Sequence, residues 1–504
     1  MIATIKNFSF TKLNLKTLSF LLLLFFSCQD KQKNDSGVIN RNSLGKPNII
    51  MIVVDDLRWD EFSHAGHPYL QTPNIDRLAK EGVMFENAYH VCPLCSPNRA
   101  SILTGQYPSK HGIIDNVARD EASHNLKLFA IEMQKAGYET AHIGKWHMGN
   151  DDTPRPGYDF WVSFPGQGRI IDPILYENGQ RDTVQGYITD ILTDRSVDFI
   201  RKKRDKPFFL YLGHKAVHPD AKQLDDGSLD LAYGSEYIPA PRHDGIYNGT
   251  HFEKRANALN SYDKVDTSSV TGILLTVKNS SEIRNQFGDL KLDHFTSMET
   301  IQKRAEMILS VDESLGEILN ELEAQNILAN TFILFTSDNG YFFGEHGLSL
   351  ERRLPYEESV KTPLLIMYPL LTGPNERKKE FVLSIDYAPT ILELAGAECG
   401  SHIQGKSILP LLIGENKEWR KSFMIEYYSF ENPFPWLIDT DYKAFRNGRY
   451  KYIHWIRHSD KNELYDIIED SLEQNNLYHT EKYKKTVKQM ENELSREIAK
   501  AFGL

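Results

Sequence analysis

The first strong pattern is a block of apolar residues: Ile49 to Val54 follow Asn48 without a polar interruption and end at the pair Asp55-Asp56. A continuous β-rich run of this length predicts a strand buried on both faces, with two carboxylates at its C-terminal end. Similar runs predict strands over 138–143, 207–212, 331–336 and 363–368. Between them, apolar residues recur at three- and four-residue steps over 189–201 and 300–324, as helices require. Thr72-Pro73 opens another helix through Ile75, Leu78 and Ala79, with Thr72 as cap, proline at the first turn and Gly82 as its stop. The alternation predicts an α/β fold, a large mostly parallel or mixed sheet between helices, with its site beyond the strands' C-terminal ends. From about residue 420 the texture changes to short aromatic strands, 423–428 and 450–455, and a charged helix over 481–502. These predict a smaller C-terminal α+β subdomain over 421–504, after a main domain over 47–420. The polar stretch 221–292 has no readable periodicity and is expected to be an insertion shaping a cleft.

The N-terminus reads differently. Lys6, Lys12 and Lys16 precede the apolar run Phe20 to Phe26, which ends at Ser27-Cys28. The run is too short to span a bilayer and fits an export signal. Its end resembles a bacterial lipobox, which implies that residues 1–28 are a lipoprotein signal and that Cys28 carries a lipid anchor. The alternative is an ordinary cleaved signal with an incidental cysteine. Residues 29–46 are polar, as a flexible tether should be. The expected location is the periplasm or outer membrane, with membrane contact only through the anchor.

The chain has 504 residues, 40% of them hydrophobic, which suits a large soluble core. Its net charge of −11 lacks the basic footprint of a nucleic-acid partner. An anionic small substrate stays open, because salt screens charges beyond about 10 Å and local cations decide binding. Of 4 cysteines, Cys92, Cys95 and Cys399 would remain after processing, too few for a disulfide framework.

The most specific motif is Cys95-Ser96-Pro97-Asn98-Arg99, followed by Ala100-Ser-Ile-Leu-Thr104-Gly105. It resembles the signature of the formylglycine-dependent type I sulfatases of the alkaline phosphatase superfamily, with Asn98 where that signature usually has serine. The resemblance implies an alkaline phosphatase-like fold and conversion of Cys95 to formylglycine by a formylglycine-generating enzyme. A hydrated formylglycine has two geminal hydroxyls, one to attack sulfur and one to expel sulfate afterwards. Arg99 would pair with its oxygens, at a helix start whose N–H groups favour anions.

Other segments match in order. Asp55, Asp56, Asp338 and Asn339, with the oxygen of modified Cys95, correspond to the family's metal ligands. All-oxygen ligation suits Ca²⁺ and allows Mg²⁺. Taken alone, Asp55-Asp56 reads as a strand-end turn. Ser337-Asp-Asn-Gly340 and Gly344-Glu-His-Gly347 favour the metal. Gly144-Lys145-Trp146-His147-Met148-Gly149 resembles the family's G-K-W-H-L-G, which implies Lys145 on sulfate and His147 as the proton acceptor during sulfate expulsion. His214-Lys-Ala-Val-His218-Pro219 implies His218 as donor to the leaving alcohol, with His214 structural. Arg352-Arg353-Leu-Pro-Tyr356-Glu357-Glu358-Ser359 places Arg352 where the family commonly has a lysine. Arginine grips sulfate oxygens but is a poor proton donor, which moves the acid role to His218.

The resemblance therefore implies an enzyme that removes sulfate from a sulfated oligo- or polysaccharide. Two alternatives stand beside it. One is a phosphomonoester or phosphonate-ester hydrolase of the same fold; the other is a non-catalytic glycan-binding lipoprotein in which Cys95 stays unmodified.

Overall fold

The segment Asn48–Val54 is the strand its apolar run predicts, and it lies near the middle of a ten-stranded sheet. The structure, a computed structural model, describes residues 45–503 except 178, 260–265, 288–295, 350–351, 416–417 and 430–433. The expected signal, Cys28 and all but the end of the tether lie outside the described residues. In chain order the sheet is built from β1 (Asn48–Val54), β2 (Val83–Phe85), β3 (Glu139–Gly144), β4 (Phe160–Ser163), β5 (Ile174–Glu177), β6 (Gln180–Thr183), β7 (Phe208–His214), β8 (Thr331–Ser337), β9 (Leu364–Met367) and β10 (Glu376–Lys378). Their spatial order is β10-β2-β9-β8-β1-β7-β3-β4-β5-β6.

The central strands β8, β1, β7, β3 and β4 are parallel. Their register decides where the chemistry goes. Val54 pairs with Ser337 on one side and His214 on the other, and Gly144 pairs with Gly213. Asp55, Asp338, Lys145 and Lys215, each one residue past its strand, therefore emerge at one rim. Every residue of β1 from Ile49 to Val54 is buried, so cutting Ile52 to Ala should cost about 2–5 kcal/mol.

The sheet is mixed, as expected, and one expectation, the Thr72 cap, needs correction. The strand at Leu364–Met367 runs antiparallel to β8; among the described residues the helix between them is the four-residue Glu357–Val360, shorter than the helix that usually makes a parallel crossover. Thr72 does not cap the helix α1 (Pro73–Glu81) through its side chain. Instead Asp312, from a distant helix, accepts from Asn74 N at 2.9 Å and Ile75 N at 2.8 Å. Gly82 does end α1, yet not in a left-handed conformation; a Cβ there would lie 2.2 Å from the Ile366 carbonyl oxygen of β9.

Two further helices matter for the site: α2 (Cys95–Thr104), and the long α3 (Met298–Ala324), which supplies Asp312 and is capped by Ser297 Oγ accepting from Thr300 N at 3.1 Å. Between β7 and α3, the stretch that lacked periodicity holds a short strand pair, Asp220–Ala221 with Ser235–Glu236, and helices Val270–Lys278 and Ser281–Phe287.

The C-terminal region is a four-stranded antiparallel meander, Ser422–Tyr427, Tyr442–Asn447, Tyr450–Trp455 and Glu463–Asp466, with the helix Lys484–Phe502 against it. It shares an apolar core with the main domain through Tyr89, Phe381 and Phe423. From Asn42 to Leu504 the chain is one compact unit. Among the described residues no helix is long and apolar enough to cross a membrane.

Candidate active site

The rim of the central strands gathers residues that lie far apart in the chain. Asp55 and Asp56 follow β1, Asp338 and Asn339 follow β8, and Cys95 opens α2; all five are buried. Donor atoms of Asp55, Asp56 and Cys95 lie within 4.8 Å of one another. Asp56 N donates to Asp338 Oδ1 at 3.1 Å, and Asn339 Nδ2 donates to Asp56 Oδ1 at 2.6 Å. These bonds use only part of the available oxygen. Asp55 Oδ1 and Asn339 Oδ1 are buried with no hydrogen-bond partner, and Asp56 Oδ2 meets Arg352 Nη1 in an ion pair at 3.2 Å. Buried acceptors left over in this way are costly unless something fills the gap between them. Oxygen donors of this kind suit a hard cation, and Asp55, Asp56 and Cys95 are grouped closely enough to hold one.

The cations are arranged with equal care. Gly144 adopts φ +108°, and its lack of a side chain lets β3 end against the Gly213 carbonyl oxygen, which a Cβ there would approach to 2.1 Å. Lys145 N then donates to Gly213 O at 2.8 Å, and Lys145 Nζ reaches Asp55 Oδ2 and, at 2.6 Å, Gln167 Oε1. Arg99 donates through Nε to Asp338 Oδ2 at 2.8 Å and through Nη1 to Lys145 O at 3.0 Å and Tyr211 Oη at 3.3 Å. Only its Nη2 lacks a partner, so Arg99 is chiefly a brace between two strand ends. Arg352 Nη2 lies 3.0 Å from His218 Nε2, while His218 Nδ1 lies 2.8 Å from Pro219 O. The carbonyl can only accept, so His218 carries hydrogen on Nδ1 and turns Nε2 to Arg352.

Proton affinities follow from this packing. Burial alone would raise Asp55, but Lys145, His218 and Arg99 hold it well below the ordinary carboxylate range. Burial raises Asp56 in spite of Arg352, and raises Asp338 to about 7 in spite of Arg99. Burial, with Lys145 as the next cause, drives His147 and His218 well below the usual imidazole range. Burial, reinforced by Asp55 and Asp338, pushes the Cys95 thiol far up. An unmodified Cys95 is thus a protonated, poor nucleophile in this setting.

The helix start at Cys95 offers fewer free N–H groups than its sequence suggests. Ser96 N is spent on Asn116 Oδ1 at 3.2 Å, Asn98 N on Leu94 O at 2.9 Å, and Pro97 has none. Asn98, the departure from the usual motif, is well used: Nδ2 meets Asp338 O at 2.6 Å and His90 Nδ1 at 2.8 Å, and Oδ1 accepts from Ser384 at 2.7 Å. It ties α2 to the end of β8.

Asp55, Asp56, Cys95, Arg99, Lys145, His147, His218, Asp338, Asn339 and Arg352 are at this rim or beside it. His214 stands apart, with Nε2 3.2 Å from Ser314 Oγ and burial holding it down at about 3. The cleft above the rim, about 720 Å³ with its open mouth, is lined by His218, Arg352 and residues the sequence did not mark, among them Gln167, Gln223, Tyr237 and Trp436. No motif contains them. Of these four, Gln167 and Gln223 bond to Lys145 and His147.

The family model described as Sulfatase matches residues 47–397. The chain belongs to the sulfatase family. A second model, for the C-terminal region of N-sulphoglucosamine sulphohydrolase, matches residues 344–500. N-acetylglucosamine-6-O-sulfatase of Bacteroides thetaiotaomicron is 32% identical over 96% of this chain and 90% of its own length. Human N-acetylglucosamine-6-sulfatase is 29% identical over 76% of this chain and 67% of its own length. A structure solved with its substrate, D-glucosamine-2-N,6-O-disulfate, superposes with a TM-score of 0.74 at 31% identity, covering 91% of this chain and 99% of that one. The sheet and its C-terminal subdomain are thus the alkaline phosphatase fold of sulfatases, and the reaction is sulfate ester hydrolysis. A phosphonate monoester hydrolase of Agrobacterium radiobacter shares the fold at a TM-score of 0.68 but only 18% identity, so fold alone does not choose between these chemistries.

Proposed function

We propose that this sulfatase removes the 6-O-sulfate of glucosamine units in sulfated glycans, using formylglycine made from Cys95 and a Ca²⁺ ion, or Mg²⁺, held by Asp55, Asp56, Asp338 and Asn339. The observation that carries the proposal is the pair of orphaned buried oxygens, Asp55 Oδ1 and Asn339 Oδ1, on the same rim as Cys95. The sugar is suggested by the relatives' own substrates, glucosamine derivatives sulfated at oxygen 6.

Charge explains why such a rim would take a sulfate ester. Three carboxylates face Lys145, Arg99 and Arg352, so they balance before any ion binds. A divalent ion would add charge that polarises sulfate and favours the ionised nucleophile, and formylglycine would supply the paired hydroxyls for attack and release. Lys145 and Arg352 are assigned to the sulfate oxygens, where charge grows in the transition state. Arg99 is assigned to bracing and to the nucleophile's oxygens. His218, with Nε2 turned toward Arg352 and the cleft, is assigned to protonate the leaving alcohol, which requires Nε2 to gain a proton when the anionic sulfate ester draws Arg352 away from it. His147 is assigned to accept the proton when sulfate departs.

Export as a lipoprotein anchored at Cys28, in the periplasm or outer membrane, belongs to the same proposal, as does maturation by a formylglycine-generating enzyme. The N-terminal lysines, apolar run and Ser27-Cys28 support the first, and the Cys95 motif supports the second. The direct test is the mass of the Cys95 peptide from protein made in its native host. Conversion should remove about 18 Da, thiol replaced by aldehyde. That protein should release sulfate from N-acetylglucosamine 6-sulfate. An unmodified Cys95 in protein that still turns over would overturn the mechanism, and release only from other sulfate positions would overturn the substrate.

A further inference from the structure

Two glutamines in segments without a motif connect the proposed sulfate-binding lysine to the proposed base. Lys145 Nζ, which can only donate, meets Gln167 Oε1 at 2.6 Å. Gln167 Nε2 donates to Gln223 Oε1 at 3.1 Å. Gln223 Nε2 donates in turn to the backbone carbonyl of Asn116, which can only accept. A donor at one end and an acceptor at the other fix the orientation of both amides, an assignment that otherwise depends on choice. Gln223 Oε1 is therefore an acceptor. His147 Nε2 lies 2.6 Å from that oxygen and must carry the hydrogen between them.

The other ring nitrogen is the consequence. His147 Nδ1 is buried and has no hydrogen-bond partner. The ring cannot easily turn away, because His147 sits at φ +60° and its carbonyl accepts from Ser96 Oγ, beside Cys95. Asn116 closes the circuit, since its side chain also holds Ser96 N at 3.2 Å. One loop residue thus anchors both the start of α2 and the amide chain that reaches His147.

We propose that Gln223, oriented by Gln167 and Asn116, is a positioning residue that holds His147 as the Nε2–H tautomer and leaves Nδ1 as the proton-accepting atom of the site. The proton-accepting part rests on the role proposed for His147 above; the tautomer does not. The step balances simply: Nδ1 uses its lone pair to take one O–H proton, the ring becomes imidazolium, and Gln223 Oε1 bears the charged N–H more strongly than before. Gln223 lies in the stretch after β7 that has no sequence pattern, which gives that insertion a task in the chemistry.

The test reads the tautomer and the turnover separately, on the full chain. Long-range proton–nitrogen spectra of histidine-labelled protein, with His147→Gln to identify the signals, should show Nε2 protonated and Nδ1 bare. Gln223→Met, near in shape but without an acceptor, should mix or reverse the tautomers and lower kcat about 100-fold with KM within about threefold. Gln223→Glu restores an acceptor and should recover the tautomer and kcat to within about tenfold of the parent. A parent protein with hydrogen on Nδ1 would overturn the proposal. So would an unchanged His147 spectrum and kcat in a folded Gln223→Met variant. If that variant does not fold, the parent spectrum alone still decides the tautomer. Absence of sulfate release by the parent would remove Nδ1's proton-accepting role together with the proposed function, whatever the spectrum shows.

Discussion

Among the described residues, two clusters that contain buried carboxylates are grouped closely enough to hold a metal ion, and they differ in what their oxygens are left to do. At the rim, Asp55, Asp56 and Asp338 share one wall with Cys95. Some 20 residues beyond Asp338 along the chain, Glu357 and Glu358 meet Glu473 and His346 where the main domain joins the C-terminal sheet. In that second cluster Lys451, fully buried, lies 2.8 Å from both Glu357 and Glu473, and Glu358 has His346 at 3.7 Å and Arg255 at 3.6 Å. His346 is stacked on Tyr356, with ring centres 4.0 Å apart. None of these groups lines the cleft above the rim. Glu357 Oε1, Glu358 Oε2 and Glu473 Oε1 lack hydrogen bonds, yet each has Lys451 or His346 within 4 Å. At the rim three carboxylates meet Lys145, Arg99 and Arg352, and Asp55 Oδ1 and Asn339 Oδ1 are left without a hydrogen-bond partner. Buried acidity therefore does not by itself make a metal site. Acceptors left over beside a cleft do.

This contrast can be broken in steps of decreasing size. Cys95→Ala should abolish turnover, by at least about 10⁴-fold, while melting within a few degrees of the parent, because the rim keeps its ion pairs. Asp55→Asn should lower kcat/KM by about 1,000-fold, with Ca²⁺ binding weakened in the same variant by calorimetry. Lys451→Met should do the opposite. Breaking a buried pair costs about 3–5 kcal/mol, so chemical denaturation should show a large loss of stability while Ca²⁺ affinity of the folded protein stays put.

The smallest effect is one of pH. Asp338 has its folded pKa raised, by burial, to about 7 from an ordinary value of 3.8. A raised carboxylate favours the fold when protonated, so its contribution is fully present at low pH and is lost as pH rises through about 7. A cation that selects the ionised form offsets that loss. Added Ca²⁺ should therefore raise Tm more at about pH 8 than at about pH 5. An equal rise at both would separate Asp338 from the ion.

Much of the rim was legible because its chemistry restricts residue type. Asp55-Asp56 stand out after an unbroken apolar run, and the cysteine motif, Gly144 to Gly149 and His214 to Pro219 each follow a strand or open a helix. The register that brings them together follows from parallel neighbours of similar length. What stayed hidden depends on contacts between distant segments. Asp312 caps α1 from another helix, and nothing near Thr72 announces it. The edge strands β2, β5, β6 and β10 are only three or four residues long and carry no period. Gln167 and Gln223 are ordinary loop glutamines until the fold aligns them between Lys145 and His147. The antiparallel direction of β9 depends on how the connection from Asp338 to Pro363 folds, which an apolar run does not reveal.

The most direct measurement is anomalous diffraction from crystals of the protein grown with Ca²⁺. One ion should appear, bounded by side-chain oxygens of Asp55, Asp56, Asp338 and Asn339 and next to residue 95. An ion held instead by His346, Glu358 and Glu473, or a rim that stays empty at saturating Ca²⁺, would contradict the account.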